Sequence, residues 1–303
     1  MKRVLVTSAT GFVGRHTLPA LLARGYEVHA VARHAPGNVA ADGVRWHAAD
    51  LLDEAQGARL IAEIAPTDLL HLGWYTEPGK YWAATENLAW VRASLGLLEA
   101  FARRGGRRVV LAGTCAEYDW TGDGLCDEAR TPLRPATLYG TCKDALRQMV
   151  EAYARQAGLS AAWGRIFFLY GPHEYPQRLV AAVIRGLLRR ERVPLSHGTQ
   201  VRDFLYVQDV AEAFAALLES EVTGAVNIAS GAGVSLREIV NRIAAELDGH
   251  DLVAFGALPA APAGEPPRLV AAVERLRVEV GWRPRFALDE GLARTIAWWR
   301  GQV

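Results

Sequence analysis

Short β-rich runs alternate with helix-patterned runs through the first 170 residues, and this rhythm restricts the fold more than any other property of the sequence. Residues 1–7 read as a strand that ends in a glycine-containing turn, and 12–24 then place Leu18, Leu21 and Leu22 on one helical face. The alternation continues with strands predicted at 28–32, 44–48, 67–72, 108–113 and 160–168, and helices at 54–64, 81–103 and 138–156. Strands separated by helices require a parallel sheet covered on both faces, an α/β doubly wound architecture of the Rossmann type. After Tyr170-Gly171-Pro172 the rhythm loosens into helices at 177–190, 209–219 and 235–247, a strand at 202–207, a Pro/Ala/Gly-rich stretch at 256–267, and closing helices at 273–280 and 288–300. This implies a dinucleotide-binding domain of 1–171 plus about 208–232, and a smaller C-terminal α/β substrate-binding domain of about 172–207 plus 233–303. Trp282, Trp298 and Trp299 are expected to anchor cores.

Charge argues against nucleic acid as a partner. The formal net charge is +1, whereas a nucleic-acid binder carries a basic excess. The basic runs Arg103-Arg104-Gly105-Gly106-Arg107-Arg108 and Arg189-Arg190-Glu191-Arg192 fall at predicted helix ends and are expected to be solvated. Cys115, Cys126 and Cys142 are odd in number and lack metal-ligand spacing, so neither a disulfide framework nor a metal site is expected. With neither a leader-like segment nor a membrane-length apolar run, a cytoplasmic location is expected.

The first strand leads into Thr7-Ser8-Ala9-Thr10-Gly11-Phe12-Val13-Gly14-Arg15, a turn suited to close backbone approach to a pyrophosphate at a helix N-terminus. Thr10, Gly11, Phe12, Val13, Gly14 and Arg15 are therefore candidate cofactor contacts, with Asp50 and Leu51 after the third strand. The second strand ends in Ala32-Arg33-His34 with no carboxylate to receive a ribose 2′-hydroxyl, and Arg33 could attract a 2′-phosphate. NADP(H) is favoured on this ground, with NAD(H) as the alternative.

Tyr139 and Lys143 are four residues apart on a predicted helix and so share a face. With nine tyrosines and only three lysines in the chain, about 0.1 such pairs are expected by chance. An ammonium beside a phenol lowers the phenol's pKa, which suits proton transfer near neutrality. Thr114, at the end of the fifth long strand, is placed to hydrogen-bond a substrate carbonyl.

Together these segments resemble the extended short-chain dehydrogenase/reductases of the NAD(P)-dependent epimerase/dehydratase type, which act mostly on nucleotide-activated sugars. The resemblance spans nearly the whole chain. It rests on the turn Thr7 to Gly14, Thr114, Tyr139-x-x-x-Lys143, Arg165-x-Phe167-x-x-Tyr170-Gly171-Pro172, Arg202-Asp203-Phe204 and Gly281-Trp282-x-Pro284. It implies catalytic roles for Thr114, Tyr139 and Lys143, a substrate diphosphate held by Arg202, Arg178 and Arg268, and a homodimer formed through the helices at 81–103 and 138–156. Departures are Ser8 for the turn's first glycine, which should crowd it, and Phe168 for a substrate-touching asparagine. Asn87 lies one turn from the family's helix asparagine, near Trp90. Cys115 and Ala116 stand where sugar dehydratases of the family carry an Asp-Glu pair, so dehydration is not expected. The implied activity is NADPH-dependent reduction of a nucleotide-linked keto-sugar, such as a 4-keto-6-deoxyhexose. A nucleotide-sugar 4-epimerase using NAD is the alternative, and a non-catalytic NADPH sensor the alternative of another class.

Overall fold

The computed structural model describes residues 2–34, 42–122, 125–259 and 266–303. In chain order the elements are β1 (Arg3–Val6), α1 (Gly14–Ala23), β2 (Glu27–Ala32), β3 (Val44–Ala48), α2 (Glu54–Ile64), β4 (Asp68–His71), α3 (Glu86–Arg103) and β5 (Arg108–Thr114). There follow β6 (Leu125–Cys126), α4 (Leu138–Ala157), β7 (Ser160–Ile166), β8 (Phe168–Tyr170), α5 (Leu179–Leu188), β9 (Val193–Leu195), β10 (Val201–Tyr206) and α6 (Val207–Glu219). The chain closes with β11 (Gly224–Ile228), β12 (Gly233–Ser235), α7 (Leu236–Glu246), β13 (Val253–Phe255), β14 (Arg268–Ala271) and α8 (Leu288–Arg300).

Seven strands form one parallel sheet in the order β11-β7-β5-β4-β1-β2-β3. Alternation along each strand feeds two cores. Val4, Val6, Val28 and Ala30 face α1 and α6, while Leu5 and Val31 face α2, α3 and α4. Each fully buried apolar side chain, such as Phe101, Phe214 or Leu21, contributes roughly 1.5–3 kcal/mol. The strand order reverses between β1 and β4, which opens a crevice at their carboxyl ends. A second sheet runs β12-β10-β14-β6, with β8 also paired to β10, and β9 pairs with β13. Its third core contains α5, α7 and α8 with Trp299.

Local chemistry sets the helix ends nearest the crevice. Asp53 caps α2 by accepting from the amides of Ala55 and Gln56. Thr137 caps α4 through the amide of Gly140 at 3.1 Å, and Gly158, at φ 68°, ends it. A Cβ at Gly140 would lie 2.4 Å from the carbonyl oxygen of Ala116, so only glycine lets α4 approach the end of β5 this closely.

Several boundaries differ from the sequence expectation. Helix α3 begins at Glu86, because residues 81–84 form a turn tied to the Asn87 side chain. The run expected as a helix at 273–280 is a short π-type turn, Arg275–Glu279. Arg108, expected in solvent, is buried on β5 and donates to the carbonyls of Leu217 and Leu218. Trp282 and Trp299 are buried, and Trp298 is half-buried. No helix among the described residues is long and apolar enough to cross a membrane.

Candidate active site

Three elements meet at the carboxyl edge of the large sheet: the turn after β1, the end of β5 and the first turns of α4. Thr114 closes β5 and is buried. Its amide donates to Glu117 Oε1 at 2.8 Å and its hydroxyl accepts from the Ala116 amide at 3.2 Å, a capping box that fixes the rotamer. Glu117 is itself fully buried, accepting from Trp163 Nε1 and from Arg165 Nε at 2.7 Å. Tyr139 lies close enough to the Thr114 side chain for that hydroxyl to act on its phenol. Thr114 and Tyr139 thus lie beside each other.

Lys143 lies one turn further along the same helix, 4% exposed, but it does not pair with the phenol. Its Nζ donates to the Ala112 carbonyl at 2.8 Å and sits 3.7 Å from the centroid of Trp74. The expected lowering of the tyrosine's pKa is therefore corrected: burial pushes the Tyr139 phenol up, and the Thr114 hydroxyl only partly opposes it. Burial instead acts on the lysine, pushing its pKa down to about 7 against the pull of Glu117. The phenol is walled by the rings of Tyr81, Trp82 and Trp74 in edge-on contacts at 4.9, 5.8 and 6.5 Å.

The turn after β1 is locked to the end of β4. Thr7 Oγ1 accepts from the amides of Leu72 and Gly73 and bonds His71 Nδ1 at 2.9 Å, while His71 Nε2 bonds Ser94 Oγ at 2.9 Å. Because the Ser94 hydroxyl donates to the Trp90 carbonyl, the imidazole must donate from Nε2 and accept at Nδ1. Burial keeps it neutral, with its pKa pushed down to about 3. Ser8 adopts φ 53°, the left-handed conformation a glycine would take more easily. In the same turn a Cβ at Gly14 would lie 2.1 Å from the Ser8 carbonyl oxygen, so that position requires glycine.

The residues at this crevice fit a dinucleotide. Helix α1 starts without a side-chain cap, and the buried Nε of Arg15 lacks a hydrogen-bond partner while its guanidinium donates to the Thr10 carbonyl. Phe12 and Val13 lie in the turn ahead of α1, not within it. Arg33 is exposed at the end of β2. Asp50 accepts from the Leu52 amide in a turn beside the buried Leu51.

The three candidate substrate arginines are dispersed. Arg202 is 2% exposed on β10, with its guanidinium over the Phe168 ring at 5.5 Å. Arg268, exposed at the start of β14, neighbours it across the β10–β14 pairing. Arg178 caps no helix hydrogen bond. It instead lies against Tyr81, 5.5 Å from the ring centroid, close to the catalytic corner. Sequence reasoning missed Trp74, Tyr81 and Glu174 here. Glu174 is buried with Oε2 unpartnered, and burial pushes its pKa up to about 8 despite Arg178. Position just past a strand end could have pointed to Trp74; nothing local distinguishes Glu174. A cavity of about 220 Å³ lies elsewhere, between β10 and residues 284–288, and none of Thr114, Tyr139 and Lys143 lines it.

Comparison with known proteins agrees with this geometry. Residues 4–229 match the NAD dependent epimerase/dehydratase family. The chain belongs to that family. A UDP-glucose 4-epimerase of Corynebacterium glutamicum is 28% identical over 310 residues, covering 93% of this chain and 91% of the relative. A dTDP-glucose 4,6-dehydratase of Xanthomonas campestris is 27% identical over 328 residues, covering 97% and 92%. The crystal structure of Thermus thermophilus UDP-glucose 4-epimerase complexed with NAD superposes with a TM-score of 0.86 at 31% identity, covering 99% of this chain and 100% of that one. The chain is thus an NAD-dependent epimerase/dehydratase-family enzyme of the short-chain dehydrogenase/reductase type, with a Rossmann fold.

Proposed function

We propose that the chain moves a hydride at a single ring carbon of a nucleotide-linked sugar without eliminating water, as an NADPH-dependent reductase of a keto-sugar. The carrying observation is that Thr114 and Tyr139 meet at the head of the sheet crevice, with Lys143 one turn away. When bound, the nicotinamide supplies or accepts the hydride. Tyr139 holds the proton that the reacting oxygen gains or loses, and Thr114 orients that oxygen through its hydroxyl. Lys143 binds the nicotinamide ribose. Thr10, Gly11, Phe12, Val13, Gly14 and Arg15 cradle the pyrophosphate, and Asp50 and Leu51 border the adenine. Arg202 and Arg268 hold the substrate diphosphate. Arg178 approaches the sugar end.

Water elimination is disfavoured because Cys115 and Ala116, both buried, offer no carboxylate beside Thr114. Burial pushes the Cys115 thiol up, so it stays protonated and neutral. The preference for NADPH rests on the exposed Arg33 and the lack of an acidic residue at the end of β2. A second reading, NAD-dependent 4-epimerisation, is favoured by the relatives: the 31%-identical structure is an epimerase complexed with NAD. The two-part division into a dinucleotide-binding and a substrate-binding domain belongs to either reading. So does a homodimer through α3 and α4; gel filtration at micromolar concentration tests it.

Incubation with NADPH or NADH and a panel of nucleotide 4-keto-sugars, followed at 340 nm, tests the reductase reading. Stoichiometric loss of NADPH absorbance is the expected result. Interconversion of UDP-glucose with its 4-epimer without net change in absorbance would establish the epimerase instead.

A further inference from the structure

Trp74 is more than a wall of the site. Its face lies 3.7 Å from Lys143 Nζ, the closest ring to that ammonium. The indole is pinned in turn: Nε1 donates to Asn87 Oδ1 at 2.7 Å. Asn87 is fully buried at the start of α3, and its amide nitrogen donates to the carbonyls of Tyr81 and Ala84, each at 2.8 Å. The amide has only one workable orientation, since the reverse would set NH₂ against an indole N–H and oxygen against two carbonyls. Those carbonyls belong to the turn whose other groups meet the phenol. The Trp82 carbonyl accepts the Tyr139 amide at 3.1 Å, and the Tyr81 and Trp82 rings stand edge-on to Tyr139.

We propose that Asn87 is a positioning residue for the proton-transfer pair, fastening Trp74 over Lys143 with one side of its amide and the 81–84 turn against Tyr139 with the other. The inference rests on the reading of Tyr139 and Lys143 given above. An ammonium held over an indole face gains electrostatic stabilisation that water would otherwise supply. Among the described residues no carboxylate hydrogen-bonds Lys143, although Glu117 pulls on it through space and the neutral His71 faces it. The Trp74 face and the Ala112 carbonyl are therefore the groups in direct contact with its charge. If the indole is free to swing, the charged form of the lysine loses that support. The 81–84 turn carries Tyr81, the residue Arg178 also touches, so the same amide bears on the sugar end of the cleft.

The chain holds only three lysines, Lys2, Lys80 and Lys143, so the ε-resonance of Lys143 can be followed by NMR in the full-length protein and assigned by its loss in Lys143→Arg. Asn87→Leu, similar in volume but without hydrogen bonds, and Trp74→Leu should each lower the Lys143 titration midpoint by about one pH unit, a tenfold change. Trp74→Phe, which keeps a π face, should move it by less than about a third of that. Cooperative thermal unfolding and NADH binding followed by fluorescence report whether each variant keeps its fold. A midpoint in Asn87→Leu within about 0.2 units of the parent overturns the proposal. So do equal midpoints in Trp74→Leu and Trp74→Phe. Should Asn87→Leu fail to fold, Asn87→Ser carries the same prediction and the same refutation. Unaltered turnover by Tyr139→Phe would instead defeat the underlying reading and leave the titration result standing.

Discussion

Two cations are buried near the same sheet edge, and the protein treats them in opposite ways. Arg165, 1% exposed on β7, is held by Glu117 at 2.7 Å and by the Tyr118 hydroxyl at 3.1 Å, with its guanidinium over the Tyr118 ring. Tyr118 in turn donates a hydrogen bond to Asn227 Oδ1, so the network closes on itself. Lys143, 4% exposed on α4, has one carbonyl and one indole face. A charge that is fully paired stays fixed and braces the strand carrying Thr114; burial with few partners pushes the other down to about 7.

The sharpest way to break the comparison is to remove one partner from each cluster. Glu117→Gln leaves the Arg165 guanidinium uncompensated and should destabilise the fold by about 3–5 kcal/mol in chemical denaturation. A loss under about 1 kcal/mol would mean that water reaches the pair. Lys143→Met should instead leave the fold intact while cutting turnover by about 100-fold. The sign of its stability effect follows from the depressed pKa. Charging the buried amine costs stability fully below about pH 7, and the cost fades as pH rises towards 10.5. The methionine variant should therefore gain most below pH 7, measured by denaturation at several pH values.

Glu174 offers a second pH test of opposite slope. Its folded pKa is raised from 4.5 to about 8, so the stability it contributes is complete below 4.5 and lost as pH rises through about 8. Glu174→Gln should flatten the decline between those values and be the more stable protein at pH 8; parallel curves would show that the carboxyl is hydrated. The smallest effect is expected at Ser8, whose φ of 53° favours glycine. Ser8→Gly should stabilise by up to about 1 kcal/mol, and a loss would mean that the serine side chain holds the turn.

Periodicity made the large sheet legible. Residues 44–48, 54–64 and 288–300 were readable as β3, α2 and α8 because their apolar spacing matches the period of each element, with a capping side chain, Asp53, at α2. Strands β6, β9, β12, β13 and β14 have two to four residues each and carry no period of their own; long-range pairing alone makes them strands. At the site, Thr114, Tyr139 and Lys143 were visible from type and spacing. The lysine's partner was not, since nothing in the sequence says that Trp74, 69 residues away in the chain, lies over Nζ. The direction of the Tyr139 shift was misread for the same reason: burial is a property of the packed rings around it.

The central claim is that Thr114, Tyr139 and Lys143 act as one site of proton transfer coupled to hydride movement. Single-turnover absorbance at 340 nm with nucleotide 4-keto-sugars and NADPH, comparing the parent with Tyr139→Phe, tests it most directly. The account predicts a transient in the parent that slows at least about 100-fold in the variant, with NADPH binding unchanged. Equal transients in the two proteins would contradict it.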